Sequence, residues 1–475
     1  MGELNRRDFM RVTGAGAGAL ALAGLAGWSR AEEGPAAVAA AAAGQRMNVL
    51  LVLSDDQRWD MLGAAGNKVI HTPHLDRLAQ EGVHFQECVT AISLCIPSRA
   101  SLLTGLPANK HGFYGNAQLR KALPFDQIPT LAGTLKNAGY HTVMAGKWHS
   151  LPVPWTMGFT DVRSWLPKGS TVYLDPELCE GQSTDKKPRK GYTNELFAED
   201  IAAFLKSKEA AERPFFAYLA LTAPHGPSAP NRAHLVKPYL GRTDKELAPP
   251  GLPQDAMEIK AGDWPEYYSA ACTADEGLGR ALMALDDAKL ADNTVVIFLS
   301  DNGYMMGSRG LHGKVVPYEE SIRVPLLVRW PGRRGFTGPS TAQVSSLDVS
   351  ATILAAAGVR PPADWPGRDL RPALQDRAAP GFEVSFAEYC DNDTEGRAQF
   401  RMARTRTHKL IRWERQDLAD EFYNLAQDPH ETKNLIDSPE EAKALAELTR
   451  QLEANMERTG DYARGWPREK KPAGR

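Results

Sequence analysis

The chain carries almost no net charge: 56 Lys and Arg stand against 58 Asp and Glu, a formal −2 over 475 residues. Nucleic-acid affinity comes mostly from neutralising phosphates with an excess of Lys and Arg, so a general nucleic-acid surface is excluded, while a local basic pocket for a small anion stays open. Cysteine is scarce. The five present, Cys88, Cys95, Cys179, Cys272 and Cys390, are scattered without the short paired spacings of a zinc site. Long apolar runs are missing too. The run from Thr13 to Gly27 is weakly apolar and shorter than the roughly 20 residues that cross a bilayer. There is no internal repeat. What remains has ordinary apolar (43%) and charged (24%) fractions, as expected of a soluble globular protein. It is too long for one compact core, so two domains are the expectation.

Three parts follow from the composition along the chain. Residues 1–43 hold Asn5-Arg6-Arg7-Asp8-Phe9-Met10, the Gly/Ala-rich run and an Ala-rich stretch from Ala36 to Ala43. That order resembles a twin-arginine export signal with its linker. The resemblance implies a twin-arginine translocase as partner, export of folded protein, and a periplasmic or extracellular location. Disulfides among the cysteines stay open in such a compartment.

Residues 44–380 alternate short apolar runs with longer helix-compatible segments, the pattern of an α/β fold with a mostly parallel sheet covered by helices. The runs are Val49 to Leu53, Thr142 to Ala145, Phe215 to Leu221, Val295 to Leu299 and Pro325 to Arg329. Four end in polar residues: Asp55-Asp56, Lys147 and His149, His225, and Asp301-Asn302. Ligands of open α/β sheets gather beyond the carboxyl ends of the strands, so these residues should converge on one crevice. Val172 to Tyr192 and His234 to Asp263 read as surface excursions near a site. Residues 381–475 read as a smaller C-terminal α+β domain. Its short strands are Glu383 to Tyr389, Phe400 to Arg404 and Lys409 to Trp413, and its charged helix runs from about Pro439 to Arg458.

Asp55-Asp56 and Asp301-Asn302 offer only oxygen donors, which suits a hard cation such as Ca²⁺ or Mg²⁺ rather than Zn²⁺. Each pair alone is also an ordinary turn or helix-cap sequence. Residues 95 to 105 read Cys-Ile-Pro-Ser-Arg-Ala-Ser-Leu-Leu-Thr-Gly. A lone cysteine in an apolar run is ordinarily a buried small hydrophobe. If a helix starts at Pro97, however, Cys95 and Arg99 share one face.

The stretch matches C-x-P-S-R-x-x-L-L-T-G at every constrained position and so resembles the signature of the type I, formylglycine-dependent sulfatases of the alkaline phosphatase superfamily. Gly146-Lys147-Trp148-His149 and Ala223-Pro224-His225 match further segments of that family. So do Lys314 after His312-Gly313 and the stretch from Phe422-Tyr423-Asn424-Leu425 through Asp428-Pro429-His430-Glu431 to Asn434-Leu435. The resemblance runs from about Asn48 to Leu435. It implies an alkaline-phosphatase-like α/β/α sandwich with a smaller C-terminal α+β domain.

It further implies that a formylglycine-generating enzyme oxidises Cys95 to Cα-formylglycine, an aldehyde. Asp55, Asp56, Asp301, Asn302 and position 95 (Cys95) would ligate one divalent cation, Ca²⁺ with Mg²⁺ as the alternative. Arg99 and Lys147 would hold the hydrated aldehyde, His149 would help deprotonate it, and Lys147, His225 and Lys314 would bind the sulfate. One hydroxyl of the diol would attack sulfur and release the alcohol; the second would then lose its proton, expelling sulfate and restoring the aldehyde. The chain departs from the family at one place. Many members read G-x-H-G-L-x-x-K where this chain has Gly307-Ser308-Arg309-Gly310-Leu311-His312-Gly313-Lys314, so Arg309 and His312 become candidate contacts to the leaving group.

The implied activity is hydrolysis of a sulfate ester or sulfamate, on a sulfated carbohydrate or small aryl sulfate. Two other readings stand beside it. One is a phosphonate or phosphate ester hydrolase of the same superfamily, which shares the C-x-P-x-R core. The other is a non-catalytic, exported sugar-binding module. The L-L-T-G ending and the G-K-W-H segment favour the sulfatase over the first, and the filled catalytic positions disfavour the second.

Overall fold

The computed structural model describes residues 46–116, 128–149, 151–249, 263–332, 337–390, 398–415 and 417–461; the segment read as an export signal lies outside the described residues. Ten strands form one mixed sheet. Their order is Gly338–Ser345, Val83–Val89, Leu326–Arg329, Thr294–Ser300, Asn48–Asp55, Phe215–Pro224, His141–Lys147, Asp161–Leu166, Glu177–Glu180 and Lys187–Pro188. Of the first eight, only Leu326–Arg329 runs against the rest. In the central strand, Val52 pairs with Leu219 on one side and Phe298 on the other.

Asn48–Asp55, Phe215–Pro224 and Thr294–Ser300 are buried along their whole length. That is why they appear in sequence as unbroken apolar runs rather than as alternation. Successive side chains go to opposite faces. Val49, Leu51 and Leu53 join Val295, Ile297 and Leu299 in a core with helices Cys95–Thr104, Leu131–Asn137 and Ser346–Ala356. Leu50 and Val52 join Val296 and Phe298 in a second core, under helices Pro73–Glu81, Thr193–Leu205 and Asp263–Asp287. The result is the expected α/β/α sandwich, with each such buried aliphatic side chain contributing roughly 1.5–3 kcal/mol.

A second, antiparallel sheet has the order Ser385–Tyr389, Phe400–Arg404, His408–Trp413, Glu421–Asn424. One face (Ala403, Leu410, Phe422) packs on Leu448, Leu452 and Met456 of helix Ala442–Thr459. The other (Tyr389, Phe400, Met402, Ile411, Tyr423) packs on Val89, Ile92, Leu94, Val315 and Ile322. The described residues therefore fall in one compact unit. Buried charges cross the same boundary. Arg404, 2% exposed, meets both oxygens of Glu319 at 2.8 Å and Glu87 at 2.6 Å, and Lys409 bridges Glu319 (2.6 Å) and Glu431 (2.5 Å). All five cysteines are free thiols, so the disulfides left open by the sequence are not formed.

Candidate active site

Four adjacent parallel strands, Thr294–Ser300, Asn48–Asp55, Phe215–Pro224 and His141–Lys147, deliver their carboxyl ends to one edge of the sheet. Asp301-Asn302, Asp55-Asp56, His225 and Lys147 to His149 lie at those ends, and Cys95 opens the wholly buried helix Cys95–Thr104 beside them. The backbone is strained there: Asp56 (φ 65°) and His149 (φ 59°) are left-handed without being glycine. Gly146 allows the closest approach of strands. Its φ is 120°, and a Cβ would sit 1.8 Å from the Ala220 carbonyl oxygen.

Asp55, Asp56 and Asp301 each have an oxygen within 4.8 Å of the others. Asn302 Nδ2 donates to Asp56 Oδ1 at 2.6 Å, while its Oδ1 is buried without a hydrogen-bond partner among the described residues. An orphaned amide oxygen beside three buried carboxylates, with no nitrogen or sulfur donor required, fits a hard divalent cation.

Cations close the cluster from the other side. Arg99 bridges two carboxylates, with Nε 2.9 Å from Asp301 Oδ2 and Nη2 3.3 Å from Asp55 Oδ2, and its Nη1 donates to the Lys147 carbonyl at 2.9 Å. The Lys147 ammonium contacts Asp55 Oδ2. The Lys314 ammonium contacts Asp56 Oδ1 and donates to Cys95 Sγ at 2.7 Å, and Sγ faces Asp55 Oδ1 at 3.5 Å. Burial alone would raise the Asp55 carboxyl, but Lys147, His225, Arg99 and Lys314 together hold it far below the usual range. Burial and then the neighbouring Asp55 push Asp301 up to about 6. The Cys95 thiol is pushed up to about 12 by burial, despite Lys147 and Lys314.

The two histidines are oriented differently. His225 Nδ1 donates to the Gly226 carbonyl at 2.5 Å, which leaves Nε2, 3.8 Å from Asp56 Oδ2, facing the cluster. His149 Nδ1 is buried without a partner among the described residues, and Gly169 lies against the ring so closely that a Cβ there would be 2.5 Å from Nε2. Burial first and Lys147 next push His149 down to about 2, so the ring is neutral at working pH.

The sequence thus located Cys95, Arg99, Asp55, Asp56, Lys147, His149, His225, Asp301, Asn302 and Lys314, and the structure brings all ten together. Arg309 is different. A leaving-group contact was expected, but its guanidinium stacks 4.0 Å over the Tyr318 ring and bonds to the carbonyls of His430 (3.2 Å) and Glu431. His312 is half-buried on the same turn.

Sequence reasoning missed the supports. Tyr267 Oη donates to the Asp56 carbonyl at 2.6 Å, Tyr173 Oη to the His225 carbonyl at 3.2 Å, and Thr90 and Ser98 hydroxyls to the Asp301 carbonyl at 2.8 and 2.6 Å. Asn194 Oδ1 accepts from the backbone of Thr222 and Ala223, just before His225. Of these, only Ser98 sits inside a recognisable motif. The roomier cavities, about 140 and 480 Å³, lie along the C-terminal sheet, away from this cluster. Chemistry rather than volume locates the site.

The chain is similar to known proteins over most of its length. Residues 47–359 match the family described as Sulfatase, and residues 307–458 match the C-terminal region of N-sulphoglucosamine sulphohydrolase. The N-acetylgalactosamine-6-sulfatase of Canis lupus familiaris is 33% identical over 384 residues, 71% of this chain and 68% of that protein. The N-acetylglucosamine-6-O-sulfatase of Bacteroides thetaiotaomicron is 27% identical, over 88% of this chain and 87% of that protein. Among solved structures, BT4656 in complex with its substrate D-glucosamine-2-N,6-O-disulfate superposes with a TM-score of 0.73 at 26% identity, covering 88% of this chain and 99% of that one.

Proposed function

The chain belongs to the sulfatase family, and from that premise we propose how its site hydrolyses sulfate esters. Cys95 is converted to formylglycine, and Asp55, Asp56, Asp301 and Asn302 hold one hard divalent cation, Ca²⁺ before Mg²⁺. The carrying observation is the convergence of Lys314 and Asp55 on Cys95 Sγ, beside the cluster of Asp55, Asp56 and Asp301. So converted, position 95 would offer two hydroxyls once hydrated: one would bond to sulfur as the S–O bond to the alcohol breaks, a proton going to the departing alcohol, and loss of the proton of the other would expel sulfate and restore the aldehyde. The cation supplies charge stabilisation to the oxygens around it.

The chain's own residues do the rest. Asp55, Asp56 and Asp301 are matched in number by Arg99, Lys147 and Lys314. A bound divalent cation therefore leaves the pocket positive, suited to an anionic ester in a chain of net −2. Lys147 and Lys314, fixed in place by carboxylates, offset charge on the sulfate oxygens as the S–O bond breaks, without reorganising. His225 presents Nε2 toward the bridging oxygen because Nδ1 is committed to Gly226. His149, whose Nδ1 is buried and unpartnered among the described residues, would help the hydroxyl that expels sulfate lose its proton.

The named activities of the two relatives and the disulfated glucosamine of the solved complex support a sulfated saccharide as substrate. Action after export fits a segment that resembles a twin-arginine signal, with maturation of Cys95 by a formylglycine-generating enzyme beforehand.

Peptide mass spectrometry of protein co-produced with such an enzyme should show an aldehyde at position 95. Fully active protein with only unmodified cysteine would overturn the mechanism. Turnover on sulfated mono- and disaccharides should then exceed that on a phenylphosphonate ester, and the reverse order would favour the phosphorus reading.

A further inference from the structure

The turn that carries Lys314 is fixed from two sides. Arg58, which follows the first strand, donates from Nη1 to Ser308 Oγ at 3.1 Å and to the Met305 carbonyl at 3.2 Å. Met305 N to Gly313 O (2.7 Å) and Gly307 N to Leu311 O (2.9 Å) close the segment on itself, so that it moves as one piece. The second grip is Arg309, itself left-handed at φ 58°. Its guanidinium lies 4.0 Å over Tyr318 and 5.8 Å from the Tyr423 ring centre, with Nη1 on the carbonyls of His430 and Glu431 and Nη2 3.4 Å from Tyr423 Oη.

The acceptor side is rigid. Glu431 is 1% exposed, its Oε2 accepts from the Glu319 amide at 2.9 Å, and its Oε1 pairs with Lys409 at 2.5 Å. A planar, forked guanidinium can stack on a ring and donate to two carbonyls at once, which a lysine ammonium cannot. Five residues beyond Arg309, Lys314 reaches Cys95 Sγ.

We propose that Arg309 is a positioning residue for Lys314. It transfers the fixed place of the 430–431 backbone, in the C-terminal part of the chain, to the ammonium that faces position 95, and so makes that part of the chain a component of the catalytic apparatus. The inference rests on the reading of Lys314 as a sulfate-binding group.

A double-mutant cycle tests both separately. Mature enzyme is assayed as wild type, Arg309→Ala, Lys314→Ala and the double variant, with Arg309→Lys alongside. The substrates are a small aryl sulfate and the best saccharide sulfate, and thermal midpoints are recorded. Arg309→Ala should lower kcat by about 10–100-fold on both substrates with KM little changed, as displacement of a catalytic group by about 1 Å does. Arg309→Lys should recover part of this. In the Lys314→Ala background, Arg309→Ala should cost less than about threefold more, because the group it acts through is gone. Losses that multiply in that background overturn the proposal, as does a loss confined to the saccharide, which would restore the leaving-group contact. An unimpaired Lys314→Ala enzyme would remove the sulfate-binding reading itself. If Arg309→Ala fails to fold, Tyr318→Leu, which removes the stacking face together with the hydroxyl on Glu421, should show the same non-additivity at smaller amplitude while Tyr318→Phe, which keeps the face, does not, and additivity in Tyr318→Leu overturns the proposal equally.

Discussion

Replacing His149 removes the one ring in the site whose imidazole nitrogen is buried, neutral and unpartnered. General-base catalysis by a positioned group is worth about 10²–10⁴ in rate, or about 2.7–5.4 kcal/mol at 1.36 kcal/mol per tenfold. His149→Ala should therefore lose that factor in kcat, and lose it alike on an aryl sulfate and on a saccharide sulfate, since the ring acts at the nucleophile rather than the leaving group. The backbone gives a control. At φ 59°, position 149 is left-handed, a region that Asn tolerates better than Ala. His149→Asn should then match the kinetic loss with a smaller drop in thermal midpoint. Burial first and Lys147 next favour the neutral ring, the form that can accept a proton. The reasoning is refuted by folded His149→Asn within about threefold of wild type, or by a loss on one substrate only.

Asp301→Ala removes an oxygen donor and one of the two carboxylates that Arg99 bridges, so bound cation and turnover should vanish together by elemental analysis and assay; stoichiometric zinc in the wild type, or full activity after exhaustive chelation, would contradict an all-oxygen site. Asp275 accepts the amides of Leu75 and His74, yet burial pushes it up to about 7. Its folded value lies above the unfolded one, so the stability it allows is full below about pH 4 and declines as pH rises toward 7. Asp275→Asn should flatten that decline in urea unfolding followed across the range, and an unchanged slope would count against the burial argument.

The strands legible in the sequence were those buried on both faces. Val49 to Leu53, Phe215 to Leu221 and Val295 to Leu299 extend by one to three residues in the structure, because polar ends such as Asp55 continue the pairing after the apolar run stops. Val83–Val89, Asp161–Leu166 and Gly338–Ser345 escaped notice. Their sequences interleave His, Gln, Glu, Arg, Ser and Thr with the apolar residues, and Gly338–Ser345 is an edge strand that tolerates Pro339. The excursion from Val172 to Tyr192 extends the sheet by two short strands, Glu177–Glu180 and then Lys187–Pro188 at the edge, held by pairing rather than by pattern. At the site, contiguous motifs carried the information. Tyr173, Asn194 and Tyr267 support it through single hydroxyl or amide groups on separate elements, and a lone tyrosine has no spacing by which to be recognised.

Arg309 shows why register alone is insufficient. Its place in the Gly307 to Lys314 run fixed where it sits on the turn, but which way it faces depends on Tyr318, Tyr423 and the carbonyls at 430 and 431, more than a hundred residues away for the last three. The same separation explains the buried charges. Arg404 and Lys409 belong to the small sheet, while Glu87 lies in the large sheet and Glu319 in the short helix Glu319–Ile322, so the set is complete only when the two parts meet, although Arg323 pairs with both glutamates and Glu431 with Lys409. Removing one partner of such a buried pair is costly, because the remaining charge loses compensation in a desolvated place. The large sheet can assemble Asp55, Asp301 and Lys147 from its own strand ends. The turn bearing Lys314 is completed only when the second sheet docks, which ties catalytic competence to the docking of the whole C-terminal segment.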